Sequence, residues 1–127
     1  MAERLLSQLA HVEVLTPTPD ESLRFYTDVL GLEESGRDGH SVYLRGWGER
    51  FHHSLQLTES EQSGLGHIAW RAQGPEQLET AVARVQEAGV GEGWNDGSPG
   101  QGSSFSYRGP GGHVHELRTR LDGGRVG

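Results

Sequence analysis

An internal repeat constrains this chain more than any other feature. Leu9-Ala10-His11-Val12 returns as Leu65-Gly66-His67-Ile68, an offset of 56 residues. Each copy leads into a helix signal with matching punctuation. In the first, Asp20 is placed to cap a helix over 19–31, Leu23, Tyr26, Val29 and Leu30 recur at helical spacing, and Gly31 suits the left-handed C-terminal position. In the second, Pro75 suits the first position of a helix over 75–89. Leu78, Ala81, Val82, Val85 and Ala88 form its apolar stripe, and Gly89 closes it. Short strand-like runs follow: Ser41–Arg45 and His53–Thr58 in the first half, Ser104–Arg108 and Val114–Arg118 in the second. Each half therefore reads as strand, helix, then two or three strands. A unit of roughly 60 residues cannot hide its sheet face alone, so the copies must pack on each other or on copies in a second subunit. A homodimer is the expectation. The Gly-rich stretch from Gly89 to Gly112, including Gly97-Ser98-Pro99-Gly100-Gln101-Gly102, reads as a mobile loop, and residues 120–127 as a frayed tail.

A length of 127 residues fits one domain, and the charge balance narrows its partners. Eleven Arg and no Lys stand against 18 acidic residues, a formal charge of −7, which leaves no basic stripe for a nucleic acid. No apolar run approaches the ~20 residues of a membrane span, and Met1–Ala10 lacks a signal peptide's apolar stretch, so the expected location is the cytoplasm. With no Cys there is no disulfide, thiolate nucleophile or Cys-based zinc site, and any metal must be held by His and carboxylate. A nucleophile elbow and a phosphate-cradling Gly motif are both missing, which argues against hydrolase and nucleotide-binding readings.

Strand alternation then sorts the polar residues. Leu9, His11, Glu13 and Leu15 share one face of the first strand, while Ala10, Val12 and Val14 share the other and should meet the helix. In the repeat, Ile68 and Trp70 go with the helix, and His67, Ala69 and Arg71 face the opposite, concave side. In the last strand Val114, Glu116 and Arg118 share a face, and Gln56 stands in the first half where Glu116 stands in the second. A pseudo-twofold packing would bring His11, His67 and Glu116 together, with Gln56 as a fourth group. Two imidazoles and a carboxylate on adjacent strands form the facial set that holds a divalent metal, usually Fe(II), with positions left open. The plainer alternative is a packing histidine and a solvated edge carboxylate. Against it stands the coincidence of both histidines at one repeat position.

His52-His53 is a candidate for proton transfer near neutral pH, or else an edge pair in solvent. Strict alternation puts His52, rather than His53, on the face of Ser54 and Gln56, and a bulge would be needed to turn His53 inward. His113 and His115 have the opposite parity to Glu116 and read as structural, and His40 lies in a solvent turn. Trp47, Trp70 and Trp94 are candidates to line an aromatic pocket, with Trp70 the one best suited to the core.

Four stretches together carry a resemblance. They are Leu9-Ala10-His11-Val12-Glu13, Ser22-Leu23-Arg24-Phe25-Tyr26-Thr27-Asp28-Val29-Leu30-Gly31-Leu32, Gly64-Leu65-Gly66-His67-Ile68-Ala69-Trp70 and Pro110-Gly111-Gly112-His113-Val114-His115-Glu116-Leu117. The chain resembles the vicinal oxygen chelate superfamily, which contains glyoxalase I, fosfomycin- and bleomycin-resistance proteins and extradiol dioxygenases. Arg50-Phe51-His52-His53-Ser54-Leu55 is similar to the strand bearing the acid–base histidine of the extradiol catechol dioxygenases, and the chain is most similar to their amino-terminal half. The resemblance implies an α+β fold of two βαβββ modules, about 9–60 and about 64–119, in one curved mixed sheet around a central cleft. It implies His11, His67 and Glu116 as ligands of Fe(II), with Mn(II), Ni(II) or Zn(II) as alternatives, and His53 as the proton-transfer residue, with His52 a second catalytic candidate. Substrate and co-substrate would be a catechol and O2, and the reaction extradiol ring cleavage. Two departures stand out: Ser106 occupies the position where those enzymes usually carry a Tyr, with Tyr107 beside it pointing the other way, and Gly97, Ser98 and Pro99 stand where a second histidine is expected. Two further readings remain open on the same fold: a glyoxalase-like or thiol-transferase enzyme using Gln56 as a fourth ligand, and a metal-free protein that sequesters an aromatic ligand.

Overall fold

The structure is a computed structural model that describes residues 4–49, 51–95 and 103–119. The Gly97–Gly102 loop and the tail at 120–127 lie outside the described residues. The first half runs β1 (Leu6–Thr16), α1 (Pro19–Arg24), β2 (Glu33–Asp38), β3 (Ser41–Arg45) and β4 (Leu55–Glu59). The second repeats the pattern as β5 (Gly64–Ala72), α2 (Pro75–Glu87), β6 (Gly91–Asn95), β7 (Ser104–Arg108) and β8 (Val114–Thr119). The eight strands form one open mixed sheet in the order β2-β3-β4-β1-β5-β8-β7-β6. Read outward from the middle, the two halves are the same. In each, the first strand pairs in parallel with the last, β1 with β4 and β5 with β8, while β1 and β5 join antiparallel at a pseudo-twofold axis.

Repeat punctuation accounts for the matching turns. Both helices begin at a Pro, where the missing N–H costs nothing, and each is followed by a Gly at φ +79°, Gly31 and Gly89, a conformation that a side chain resists. The helices differ in what they cover. α2 buries Leu78, Ala81 and Val82 against Ala72, Phe105 and Leu117, with Trp70, Val85 and Tyr107 packed around that cluster. α1 lies against β4 but buries no residue of its own.

Four expectations are corrected by the fold. The helix expected over 19–31 is α-helical only to Arg24. It then widens into a π-helical turn at Phe25–Val29, closed by Leu30 N–H to Phe25 O at 3.2 Å. The extra residue in that turn breaks the 3.6-residue stripe, so Val29 and Leu30 point to solvent. The strand expected from His53 starts at Leu55. The Gly-rich stretch from Gly89, expected to be loop, contains β6; it and β2 are edge strands, Gly-Glu-Gly-Trp-Asn and Glu-Glu-Ser-Gly-Arg-Asp, that the residue types did not locate. Trp47 and Trp94 are exposed rather than pocket-lining, while Trp70 packs on the core as expected.

The contrast between the two helices sets a stability test. Leu117→Ala, at a side chain 2% exposed beneath α2, should cost about 2–5 kcal/mol in urea unfolding. Val29→Ala, at 67% exposure, should change it by no more than about 0.5 kcal/mol.

Candidate metal centre

The central strands bring the chemistry together through register. Across β1 and β5, His11 faces Ala69 and Glu13 faces His67, while β8 lays Glu116 beside Ala69. His11, Ala69 and Glu116 thus form one row across the sheet, with His67 and Glu13 in the next, all on the face away from α2. A register shift in β1 between Leu9 and His11 separates the two side chains expected to share a face: Leu9 is exposed and His11 is only 1% exposed.

Three donors converge. His11 Nε2 lies 2.7 Å from His67 Nε2, and Glu116 Oε1 lies 3.8 Å from the same His67 atom. One donor from each of His11, His67 and Glu116 falls within 4.8 Å of the others. Bonds of about 2.1 Å keep two donors to one ion within roughly 4.2 Å of each other, which both contacts of His67 Nε2, 2.7 Å to His11 and 3.8 Å to Glu116, satisfy. The donor types are also right: two imidazoles and a carboxylate. His11 is held neutral, its pKa lowered to about 2 by burial, with the imidazoles of His53 and His67 and the Arg118 and Arg71 guanidiniums adding to the effect.

His53 completes the group from a different direction. It precedes β4, in a segment fixed by Ser54 N–H to Leu44 O at 2.9 Å and Val12 N–H to Ser54 O at 3.1 Å. Its ring is buried 4.6 Å from that of His11 and 4.5 Å from that of Tyr43. Strand alternation therefore does not reach it, and the inward turn needs no bulge. Its Nδ1 is 2.9 Å from Nδ1 of the less buried His52, and its Nε2 is buried without a hydrogen-bond partner among the described residues. Burial first, then the His52, Arg118, His67 and Arg71 charges, lower the His53 pKa to about 3.

Gln56 is turned elsewhere. Its Nε2 donates to Glu13 Oε2 and to Ser41 Oγ, each at 3.1 Å. The repeat explains the difference from Glu116: Gln56 sits beside Glu13 in β1, whereas Glu116 sits beside the small Ala69 at the matching place in β5. Ser106 stands across from Glu116 and accepts a hydrogen bond from Asn95 Nδ2, while Tyr107 is on the opposite face, its ring stacked 5.0 Å from that of His115. His115 accepts from Trp70 Nε1 at 3.0 Å, a structural role, and the side chain of His40 is largely exposed, as expected. Glu13, Tyr43, Arg71 and Arg118 were given no role by the sequence. Arg118 donates to Glu116 Oε1 at 2.8 Å, and the Arg71 guanidinium lies 3.6 Å over the Phe51 ring. Parity had placed Glu13, Arg71 and Arg118 on this face, which was the available signal.

Residues 8–117 match the profile of the glyoxalase/bleomycin resistance protein/dioxygenase superfamily. The chain belongs to that superfamily. Among curated members it is 45% identical over 112 residues to metapyrocatechase of Geobacillus stearothermophilus, covering 88% of this chain and 34% of that protein. It is 34% identical over 114 residues to the manganese-dependent 2,3-dihydroxybiphenyl 1,2-dioxygenase of Geobacillus genomosp. 3, covering 88% and 36%. The structure of homoprotocatechuate 2,3-dioxygenase from Brevibacterium fuscum in complex with 3,4-dihydroxyphenylacetate superposes with a TM-score of 0.87 at 33% identity, covering 99% of this chain and 39% of that one. The chain thus spans about a third of the length of these superfamily members.

Two outcomes follow from the geometry. His11→Ala should lower affinity for Mn(II) or Fe(II) by more than about 100-fold in a calorimetric titration while leaving the circular dichroism unchanged, because its imidazole faces donors rather than a core. Metal-free protein should lose stability as pH falls below about 6.5, because the unfolded chain takes up protons on His11 and His53 that the folded chain refuses. Thermal midpoints between pH 8 and pH 4 would show this, with a shallower slope in His53→Gln.

Proposed function

We propose that His11, His67 and Glu116 hold a divalent metal, Fe(II) in the first instance, and that the protein cleaves the ring of a catecholic substrate by extradiol dioxygenation. The observation that carries this reading is the convergence of two imidazole Nε2 atoms and one carboxylate oxygen beside a buried histidine with a free ring nitrogen. The names of the similar proteins support it, since all are catechol-type dioxygenases and one is manganese-dependent. A bound ferrous ion would supply the electron route between a vicinal diol and dioxygen, and would keep the two in contact.

This chain's own residues do the rest. With three protein donors, a bound metal would keep positions open for small molecules. Gln56, engaged by Glu13, leaves the donor set at three, which favours the dioxygenase over a glyoxalase-like site with a fourth protein ligand. His53 is the proton carrier: its Nε2 has no hydrogen-bond partner among the described residues, and its Nδ1 lies 2.9 Å from Nδ1 of the more exposed His52. Tyr43 packs on the His53 ring and fixes its plane. A homodimer in the cytoplasm is the assembly and location that go with this reading. Phe25, Val29 and Leu30 leave apolar surface for a second copy, and no helix among the described residues is long and apolar enough to cross a membrane.

Protein loaded anaerobically with Fe(II), then given 3,4-dihydroxyphenylacetate or catechol and air, should form a ring-opened semialdehyde, read by its visible absorbance. His53→Ala should lower kcat by about 10²–10⁴-fold at equal metal content. Loaded wild-type protein that leaves every catechol intact would sink the dioxygenase reading.

A further inference from the structure

Glu13 lies behind the metal centre rather than in it. Its Oε1 is 3.0 Å from His67 Nδ1, the ring nitrogen opposite the Nε2 that meets His11 and Glu116. Its Oε2 accepts from Thr58 Oγ1 at 2.6 Å and from Gln56 Nε2 at 3.1 Å. Those two donors are themselves tied to Ser41 Oγ, at 2.7 and 3.1 Å. The carboxylate is therefore held at both oxygens by groups on β4 and β5, braced from β3 by Ser41.

A second observation points the same way. A methyl group placed on Gly66 would overlap the Glu13 carboxylate, yet Gly66 has no positive φ, so its backbone does not need glycine. The space left by the missing side chain is what admits Glu13 behind His67. The other half of the repeat has no such arrangement. Across the pseudo-twofold, His11 faces Ala69 where His67 faces Glu13, and His11 Nδ1 is buried without a partner among the described residues.

We propose that Glu13 is a positioning residue of the metal centre, locking His67 in one ring orientation and one tautomer through the Nδ1–H to Oε1 hydrogen bond. A carboxylate only accepts, so the Oε1 contact selects the tautomer with the proton on Nδ1 and leaves the Nε2 lone pair pointing at the donors of His11 and Glu116. His67 is thereby the preset ligand. In the metal-free protein His11 donates its Nε2 proton to that lone pair across the 2.7 Å contact, and must move it to Nδ1 before it can ligate. The inference rests on the metal-centre reading above, but its first consequence, the His67 tautomer, exists without metal.

The test uses wild type, Glu13→Ala, Glu13→Gln and Gly66→Ala. Histidine tautomers are read by long-range 1H–15N NMR on metal-free protein, and Mn(II) affinity by the paramagnetic resonance of the free ion. Wild-type His67 should carry its proton on Nδ1. Glu13→Ala should lose that preference and bind Mn(II) about 10–100-fold more weakly, with Gly66→Ala reproducing the loss although Glu13 is present. Glu13→Gln, whose amide oxygen still accepts, should keep the tautomer and lose less. A wild-type His67 protonated on Nε2, or Glu13→Ala with both tautomer and affinity unchanged, overturns the proposal. Wild type that binds no Mn(II) removes the metal-centre reading, and the tautomer comparison between wild type and Glu13→Ala then decides the role of Glu13 by itself.

Discussion

The antiparallel pairing of β1 with β5 is the interaction on which the rest of this structure depends. It joins two modules that would each present an open sheet edge, and it does so at the pseudo-twofold where the repeat places its histidines. Its register is the constraint. Side chains alternate between faces, so a slip of one residue would send His67 toward α2 and bring Ile68 and Trp70 to the donor face. The parallel partners β4 and β8 inherit the same register, and Glu116 reaches the site only because β8 is aligned on Ala69.

The sheet divides two tasks that conflict in a small protein. On one face, α2 closes over Phe105, Leu117 and Ala72, and this apolar layer supplies hydrophobic stabilisation. On the other, His11, His53, Gln56, Arg71, Arg118, Ser104 and Ser106 are all buried. Burying polar groups is unfavourable unless each finds a partner, and here the pairings are partial: His11 Nδ1 and His53 Nε2 have none among the described residues. A face assembled for stability alone would be apolar at these positions. The uneven helices sharpen the division, since the first module, whose α1 buries none of its own side chains, depends on its sheet pairing with the second.

Much of this was legible in the chain because the repeat doubled each weak signal. One histidine on a strand says little, but two at the same repeat position, followed by matched helices and glycines, pointed to a shared face where His11, His67 and Glu116 meet. Failures came where local rules were extended past their domain. Alternation was carried back from Gln56 to His53, though His53 lies outside the strand. The helical stripe was carried through Val29 and Leu30, where the π turn adds a residue. β2 and β6 left no trace because polar, Gly-containing edge strands owe their conformation to their neighbours rather than to propensity. Gln56 was matched correctly to Glu116 but assigned by symmetry alone. What decided its role was the residue beside it, Glu13 in one half and Ala69 in the other.

That single asymmetry sets the two matching positions of the repeat apart. With Ala at both positions, Gln56 and Glu116 would each be free to face the histidines from opposite sides. With Glu at both, the carboxylates would lie close together on the shared face, and each would need donors such as Thr58 and Gln56 to remain ionised there. The actual pairing keeps one carboxylate in the donor set and stations the other behind His67, so two negative groups serve one centre without sharing an edge of it. On the reading proposed above, the ligand set then carries one negative charge against a divalent ion's two positive ones. The surplus positive charge would favour a small molecule that arrives as an anion.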